Sequence, residues 1–218
     1  MKERVMSKSI DSKTLLLAHF DGNFKDAVTG KEFASYGSGI PVLSYSEHKF
    51  GNGCATGIAN YETPDFLYIE NADIDYNITK EITIDMWIKC TKSASSSGVR
   101  IGGKLVNGGG FSQLGININY EGYFCILNGI SGSFWQLTSK VYKTPIDSKW
   151  HHFALVCKNG TVTLFLDGKK IYTTTRTIYS KIGNMTCLLC ETGVFIDELR
   201  ISNVARYEND FIPPTKPY

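Results

Sequence analysis

The chain has 218 residues, 42% of them hydrophobic and 20% charged, with a formal net charge of +2. That length and composition fit one large all-β domain or two small ones with a real core. The charge is spread without a basic stripe, which argues against nucleic-acid binding, and no apolar run approaches the roughly 20 residues of a membrane helix.

In chain order, residues 1–13 read as a short polar arm and residues 14–218 as one domain. The arm has charges but no apolar signal-peptide core, so the chain as given is not marked for secretion. Thr14–Phe20 is the first predicted strand, ended by Asp21-Gly22-Asn23. A hairpin-like stretch follows through Phe33–Tyr36 and Ile40–Tyr45, punctuated by glycine and proline. Phe50-Gly51-Asn52-Gly53 leads into a strand at Cys54, and Phe66–Glu70 is a short apolar one. Ile82–Lys89 alternates: Ile82, Ile84, Met86 and Ile88 face one way, Thr83, Asp85, Trp87 and Lys89 the other. Val99–Leu105, Ile116–Tyr120, Tyr123–Leu127 and Phe134–Thr138 continue the series. From Trp150 to Thr173 three strands are joined by Asn159-Gly160 and Asp167-Gly168. Both are strong hairpin signals, because each central residue of a type I′ turn needs a positive φ. Phe195–Ser202 is the last strand. No stretch keeps helical periodicity, so the expected fold is all-β, a two-sheet antiparallel jelly-roll sandwich.

Several residues invite chemistry. By alternation Phe195, Asp197, Leu199 and Ile201 share a face, which puts a carboxylate on the apolar side. A buried carboxylate must be paired, hydrogen-bonded or metal-bound. Asp197 is expected to bind a cation, to accept backbone N–H bonds, or to pair with His19. His151 and His152 are adjacent in a strand, point to opposite faces, and have no Gly-x-Ser-x-Gly or His-Glu-x-x-His motif beside them; neither is read as catalytic. Cys187 and Cys190 have the spacing of half a zinc site, yet positions i and i+3 of a strand face apart, so they are read as structural. The six cysteines sit singly in strand-like runs and are expected as reduced thiols.

Six pieces in order resemble a known family: Leu16-Leu17-Ala18-His19-Phe20-Asp21-Gly22, Lys49-Phe50-Gly51-Asn52-Gly53, Ile82-Thr83-Ile84-Asp85-Met86-Trp87-Ile88, Trp150-His151-His152-Phe153-Ala154, Leu164-Phe165-Leu166-Asp167-Gly168 and Ile196-Asp197-Glu198-Leu199-Arg200-Ile201-Ser202. The chain resembles the laminin-G-like jelly rolls of the concanavalin A-like lectin/glucanase superfamily. Its ending, Ala205-Arg206-Tyr207 through Phe211-Ile212-Pro213-Pro214, is similar to the variant of bacteriophage and bacterial surface proteins. The resemblance implies two sheets packed face to face, with the first and last strands close together. Some members hold a structural calcium there, which would make Asp21, Asp197 and Asn23 ligands, helped by carbonyls or water. Glycoside hydrolases of the superfamily carry acidic residues at i, i+2 and i+4 of one strand face. Here that row is Glu81, Thr83 and Asp85. A retaining pair needs carboxyls about 5–5.5 Å apart, whereas i and i+4 Cα atoms in a strand are about 13 Å apart.

The expected function is therefore non-catalytic: a recognition or structural module of a phage particle (head or tail decoration, or adhesion) or of a bacterial surface assembly. It would be made in the cytoplasm and carried out in the virion. Expected partners are glycans, a host-surface receptor or other virion proteins, with oligomeric state left open. Tyr36, Tyr45, Tyr61, Tyr68, Trp135 and Tyr142 are the rings that could stack on sugar. The alternatives are a glycoside hydrolase or lyase, and a structural assembly protein without a ligand.

Overall fold

The computed structural model describes residues 10–37, 41–57, 66–70, 74–76, 80–91, 99–104, 115–118, 122–130, 133–175, 185–190 and 192–218. The strands are β1 (Thr14–Ala18), β2 (Ala34–Tyr36), β3 (Val42–Ser44), β4 (Cys54–Thr56), β5 (Phe66–Glu70), β6 (Ile82–Cys90), β7 (Val99–Lys104), β8 (Gly115–Ile118), β9 (Tyr123–Ile130), β10 (Ser133–Lys143), β11 (Trp150–Lys158), β12 (Thr161–Leu166), β13 (Lys169–Thr175), β14 (Met185–Cys190) and β15 (Val194–Ser202). All named pairings are antiparallel. One sheet runs β13-β12-β11-β6-β15-β4-β3, with β1 also on β15; the other runs β10-β9-β8-β7-β14-β5-β2. The expected jelly-roll sandwich is the fold observed.

Alternation builds the core. Ile82, Ile84, Met86 and Ile88 of β6 and Phe153 and Leu155 of β11 face inward, against Ile101, Ile116, Phe124 and Leu188 of the second sheet. Phe124 and Phe153 stack across the sandwich with centroids 4.5 Å apart. The expected hairpin between Phe33–Tyr36 and Ile40–Tyr45 does not form. β2 pairs with β5 and β3 with β4, in different sheets. Turn residues alone cannot tell a hairpin from a crossover, because both need the same breakers.

The parity expected for β15 also fails. Asp197 pairs with Trp87, but the next aligned residue, Arg200, pairs with Asp85. Glu198 and Leu199 therefore oppose Met86 together: a β-bulge, with Glu198 at φ +53°. A bulge shifts every later side chain to the other face. Val194, Ile196, Leu199 and Ile201 join the core, while Asp197 and Arg200 lie on the outer face, opposite Trp87 and Asp85. β15 also changes neighbour there. Phe195 and Ile196 pair with β4, and Leu199–Ser202 pair with β1.

Both predicted hairpin turns are present. Asn159 and Gly160 have φ of 50° and 79°, Asp167 and Gly168 of 49° and 75°. The second turn is covered: Phe211 N–H donates to the Gly168 carbonyl at 2.8 Å. A Cβ on Gly168 would lie 1.9 Å from the Phe211 carbonyl oxygen. Gly168→Ala is thus expected to cost about 1–3 kcal/mol, from left-handed strain and displacement of the covering segment. An unchanged urea-unfolding midpoint would refute this packing.

Candidate functional site

At the bulge, strand neighbours give way to loops. Asp197 is fully buried; its Oδ2 accepts from Lys49 N (2.7 Å) and Phe50 N (3.0 Å). Asp21, exposed on the turn after β1, accepts through Oδ1 from Asn52 N (2.7 Å) and Gly53 N (3.1 Å). The two carboxylates therefore grip the two ends of one loop, residues 49–53. Its glycines follow from that closeness: a Cβ on Gly51 would sit 2.1 Å from the Asp21 carboxylate, and one on Gly53 2.7 Å from the Phe20 carbonyl oxygen. His19 pairs with Glu198 at 2.7 Å, not with Asp197. Glu198 Oε2 accepts from Tyr218 N at 2.9 Å. Asn23 is exposed on the turn.

The donor set around Asp21 and Asp197 suits carboxylates receiving amides. Calcium asks for six to eight oxygens, whereas four N–H groups converge here. Among the described residues no group of three or more His, Cys, Asp or Glu side chains could hold a metal. Asp197 Oδ2 and Asp21 Oδ1 are taken by these amides, while Asp197 Oδ1 is buried without a hydrogen-bond partner.

The row that resembled a hydrolase stripe is engaged otherwise. Glu81 Oε2 accepts from Ala205 N (3.1 Å). Thr83 Oγ1 donates to the Val204 carbonyl (2.6 Å) and accepts from Arg206 N (3.0 Å). Asp85, fully buried, takes Arg200 Nε and Nη2 at 3.0 and 2.6 Å and, on Oδ2, the hydroxyls of Tyr207 and Tyr218 at 2.8 and 2.9 Å. The outward face of β6 is thus a rail on which residues 203–218 are docked. Tyr207 and Phe211 stack at 3.7 Å and rest against Phe165. Burial pushes the Asp85 carboxyl upward, but Arg200, His152 and the Tyr207 hydroxyl together hold it below its usual range. Removing either partner of such a buried pair leaves an uncompensated charge.

The histidines separate as expected. His152 is buried beneath the same segment, its Nε2 2.8 Å from the Tyr218 hydroxyl. Burial lowers its pKa to about 4. Since that hydroxyl donates to Asp85, a neutral His152 donates from Nε2. His151 bridges Asp167 (2.6 Å) and Asp147 (3.0 Å) near the surface. Cys187 is buried beside Phe66 and Met185, while Cys190 lies in the main core. The two face apart, and neither forms a disulfide.

Of the candidate rings, two come together. Tyr36 stacks on Phe66 (5.0 Å, 13°), and Tyr68 meets Phe66 edge-on at 6.2 Å, on the outer face of the second sheet. Tyr36 is 56% exposed. Tyr45 and Tyr142 are also exposed but stand outside this cluster. Trp135 is in β10, with its side chain outside the described residues, as is the whole of Tyr61. Sequence reasoning missed Arg200, Tyr207, Tyr218 and Glu198, which complete the outer-face network. It also missed Asp26, buried and accepting from Leu17 N, Val28 N and Thr29 N. An Asp three residues before a Thr is a turn signal that could have pointed to it. A cavity of about 440 Å³ is lined by Ile10, Asp11, Thr14, Leu17, Arg200 and the Pro214–Tyr218 segment.

The architecture defines a lectin-like jelly roll. The family model of the concanavalin A-like lectin/glucanases superfamily, laminin G type, matches residues 65–210, and the chain belongs to that superfamily. Domain 4 of a GH43 extracellular arabinanase from Geobacillus stearothermophilus, in complex with arabinotriose, is 18% identical with a TM-score of 0.62, over 88% of this chain and 93% of that one. The binding domain of botulinum neurotoxin DC, in complex with rat synaptotagmin II, is 16% identical with a TM-score of 0.63, over 90% of this chain and 49% of that one. This chain therefore spans about half of that domain. A carbohydrate esterase from Shiga toxin-encoding bacteriophage phi24B is 14% identical with a TM-score of 0.58, over 88% and 98% of the two chains. At these identities the likeness is one of fold. No curated protein matches the sequence.

Two outcomes test the site. EDTA is expected to leave the melting temperature unchanged, because amides occupy one oxygen of each carboxylate and no third charged ligand stands beside them among the described residues; a drop reversed by added Ca²⁺ would restore the calcium reading. For pH, burial raises Asp197 to about 6 despite its amide bonds, so its contribution to stability is present below its ordinary value and lost as pH rises through 6. His152 has the opposite sign: its contribution is present above its ordinary value and lost as pH falls through about 4. The two oppose each other between pH 4 and 6. His19 is raised, chiefly by Glu198, so its contribution is lost as pH climbs above the usual histidine range. Asp197→Asn should unmask His152, giving a stability that rises with pH from 4 to 6.5. A variant whose profile matches wild type would sink the assignment.

Proposed function

We propose that this chain is a non-catalytic carbohydrate-recognition module. The observation that carries the reading is the Tyr36–Phe66–Tyr68 cluster on the outer face of the second sheet. An exposed ring already stacked on a second ring is a rigid apolar platform, and sugar faces are recognised by such platforms. The docked residues 203–218 cover the outward row of β6 on the opposite face, which favours the second sheet for the stacking platform. Engagement of Glu81, Thr83 and Asp85 by that segment supports a binding role over hydrolysis, since a general acid and base must both reach substrate. The arabinotriose held by the arabinanase domain is consistent with a saccharide ligand. A setting on a phage particle or a bacterial surface assembly is supported by the Ala205–Pro214 ending.

On a glycan array, the wild-type protein is expected to retain a defined set of sugars. Tyr36→Ala should weaken retention about fivefold or more, the loss of one stacking ring, without lowering the melting temperature. Absence of any retained glycan would overturn the reading.

A further inference from the structure

The cavity beside Arg200 is separate from the aromatic platform and lies on the other sheet. Leu17 of β1, which pairs with Arg200 across the strands, lines it, together with Thr14, Pro214, Lys216 and Tyr218. A volume of about 440 Å³ falls within the size of ligand pockets, which are mostly apolar with a few placed polar groups.

The charges in its walls are uneven. Asp11 is paired with Arg206 (2.9 Å), and Asp85 with Arg200 (2.6 Å). Lys216 is exposed and has no ion pair among the described residues. Arg200 adds directional donors. Its Nε and Nη2 are spent on Asp85 and Tyr207. Its Nη1 has no protein acceptor among the described residues, yet it is not one of the buried unsatisfied atoms. Nη1 is thus the one guanidinium nitrogen left without an acceptor among the described residues, on a residue that lines the cavity. The guanidinium is also held rigid, 3.5 Å over the Tyr218 ring and clamped by Asp85. A fixed guanidinium end and a nearby ammonium select an anionic oxygen group; Leu17, the prolines and Thr14 leave room beside it for a hydroxylated ring.

We propose that this cavity is a second saccharide site, taking the carboxylate-bearing residue of an acidic glycan, with Arg200 Nη1 and Lys216 on the carboxylate. The inference rests on the recognition-module reading and deepens it by naming a sugar class and a second position.

The test is calorimetric titration at low salt with 3′-sialyllactose and trigalacturonic acid, against lactose and the methyl ester of trigalacturonic acid as uncharged counterparts. At least one acidic probe should bind more tightly than its neutral partner. Lys216→Ala should weaken it about tenfold, the loss of one charge-assisted contact, and Lys216→Glu should abolish it. Tyr36→Ala should leave it unchanged. Lys216 is on the surface, so both of its variants should melt like wild type. Acidic and neutral probes binding alike, or acidic binding that ignores Lys216 and needs Tyr36, would overturn the site. If only neutral glycans bind, through Tyr36, this inference falls and the recognition module stands. If nothing binds at all, both fall.

Discussion

One extra residue in β15 organises the outer half of this protein. Without the bulge at Glu198, strict alternation would carry Asp197, Leu199 and Ile201 to one face and drive a carboxylate into the core. With it, the strand feeds Val194 and Ile196 to the core before the bulge and Leu199 and Ile201 after it. Arg200 is thereby brought opposite Asp85 on the outer face. The cost is a non-glycine residue in left-handed conformation, held there by the hydrogen bonds of Glu198 to His19 and Tyr218. The bulge, the ion pair and the docked chain end support one another.

That mutual support explains the polar density under residues 203–218. An apolar face would hold the segment without fixing its register. Glu81 just before β6, and Thr83 and Asp85 on its outward row, hold it at three successive positions, each bonding a different backbone or side-chain group. Buried polar networks of this kind are high in cost if left incomplete, and specify one arrangement when satisfied. The same rigidity passes to the cavity wall, where Arg200 and Tyr218 cannot drift. A recognition surface built from pre-positioned groups loses less entropy on binding.

Much of the candidate site was legible in part. Asp197 stood out because its charge broke a pattern, and the alternative of backbone N–H donors is what the fold shows. The reason it stood out was wrong, since the pattern itself shifts by one residue at Glu198. Nothing local marks the bulge: Asp-Glu-Leu-Arg reads as an ordinary alternating strand, and the partner strands that force the extra residue are distant in sequence. The same limit applies to the hydrolase-like stripe. Thr83 and Asp85 share the outward face of β6, with Glu81 just before the strand, but what covers that face lies more than a hundred residues on. Of the aromatic candidates, only pairing of β2 with β5 could say that Tyr36 and Tyr68 converge on Phe66.

By itself the sequence determined what depends on nearest neighbours and period. The two type I′ turns, the strands from Trp150 to Thr173 and the two faces of β6 follow from φ preferences and from side chains alternating every second residue. Tertiary structure decided what depends on which strands meet. It placed β2 and β3 in different sheets, moved Asp197 to the outer face, and joined Arg200 to Asp85 and the chain end. Those outcomes are set by pairing between segments far apart in the chain, where a shift of one residue exchanges inside for outside.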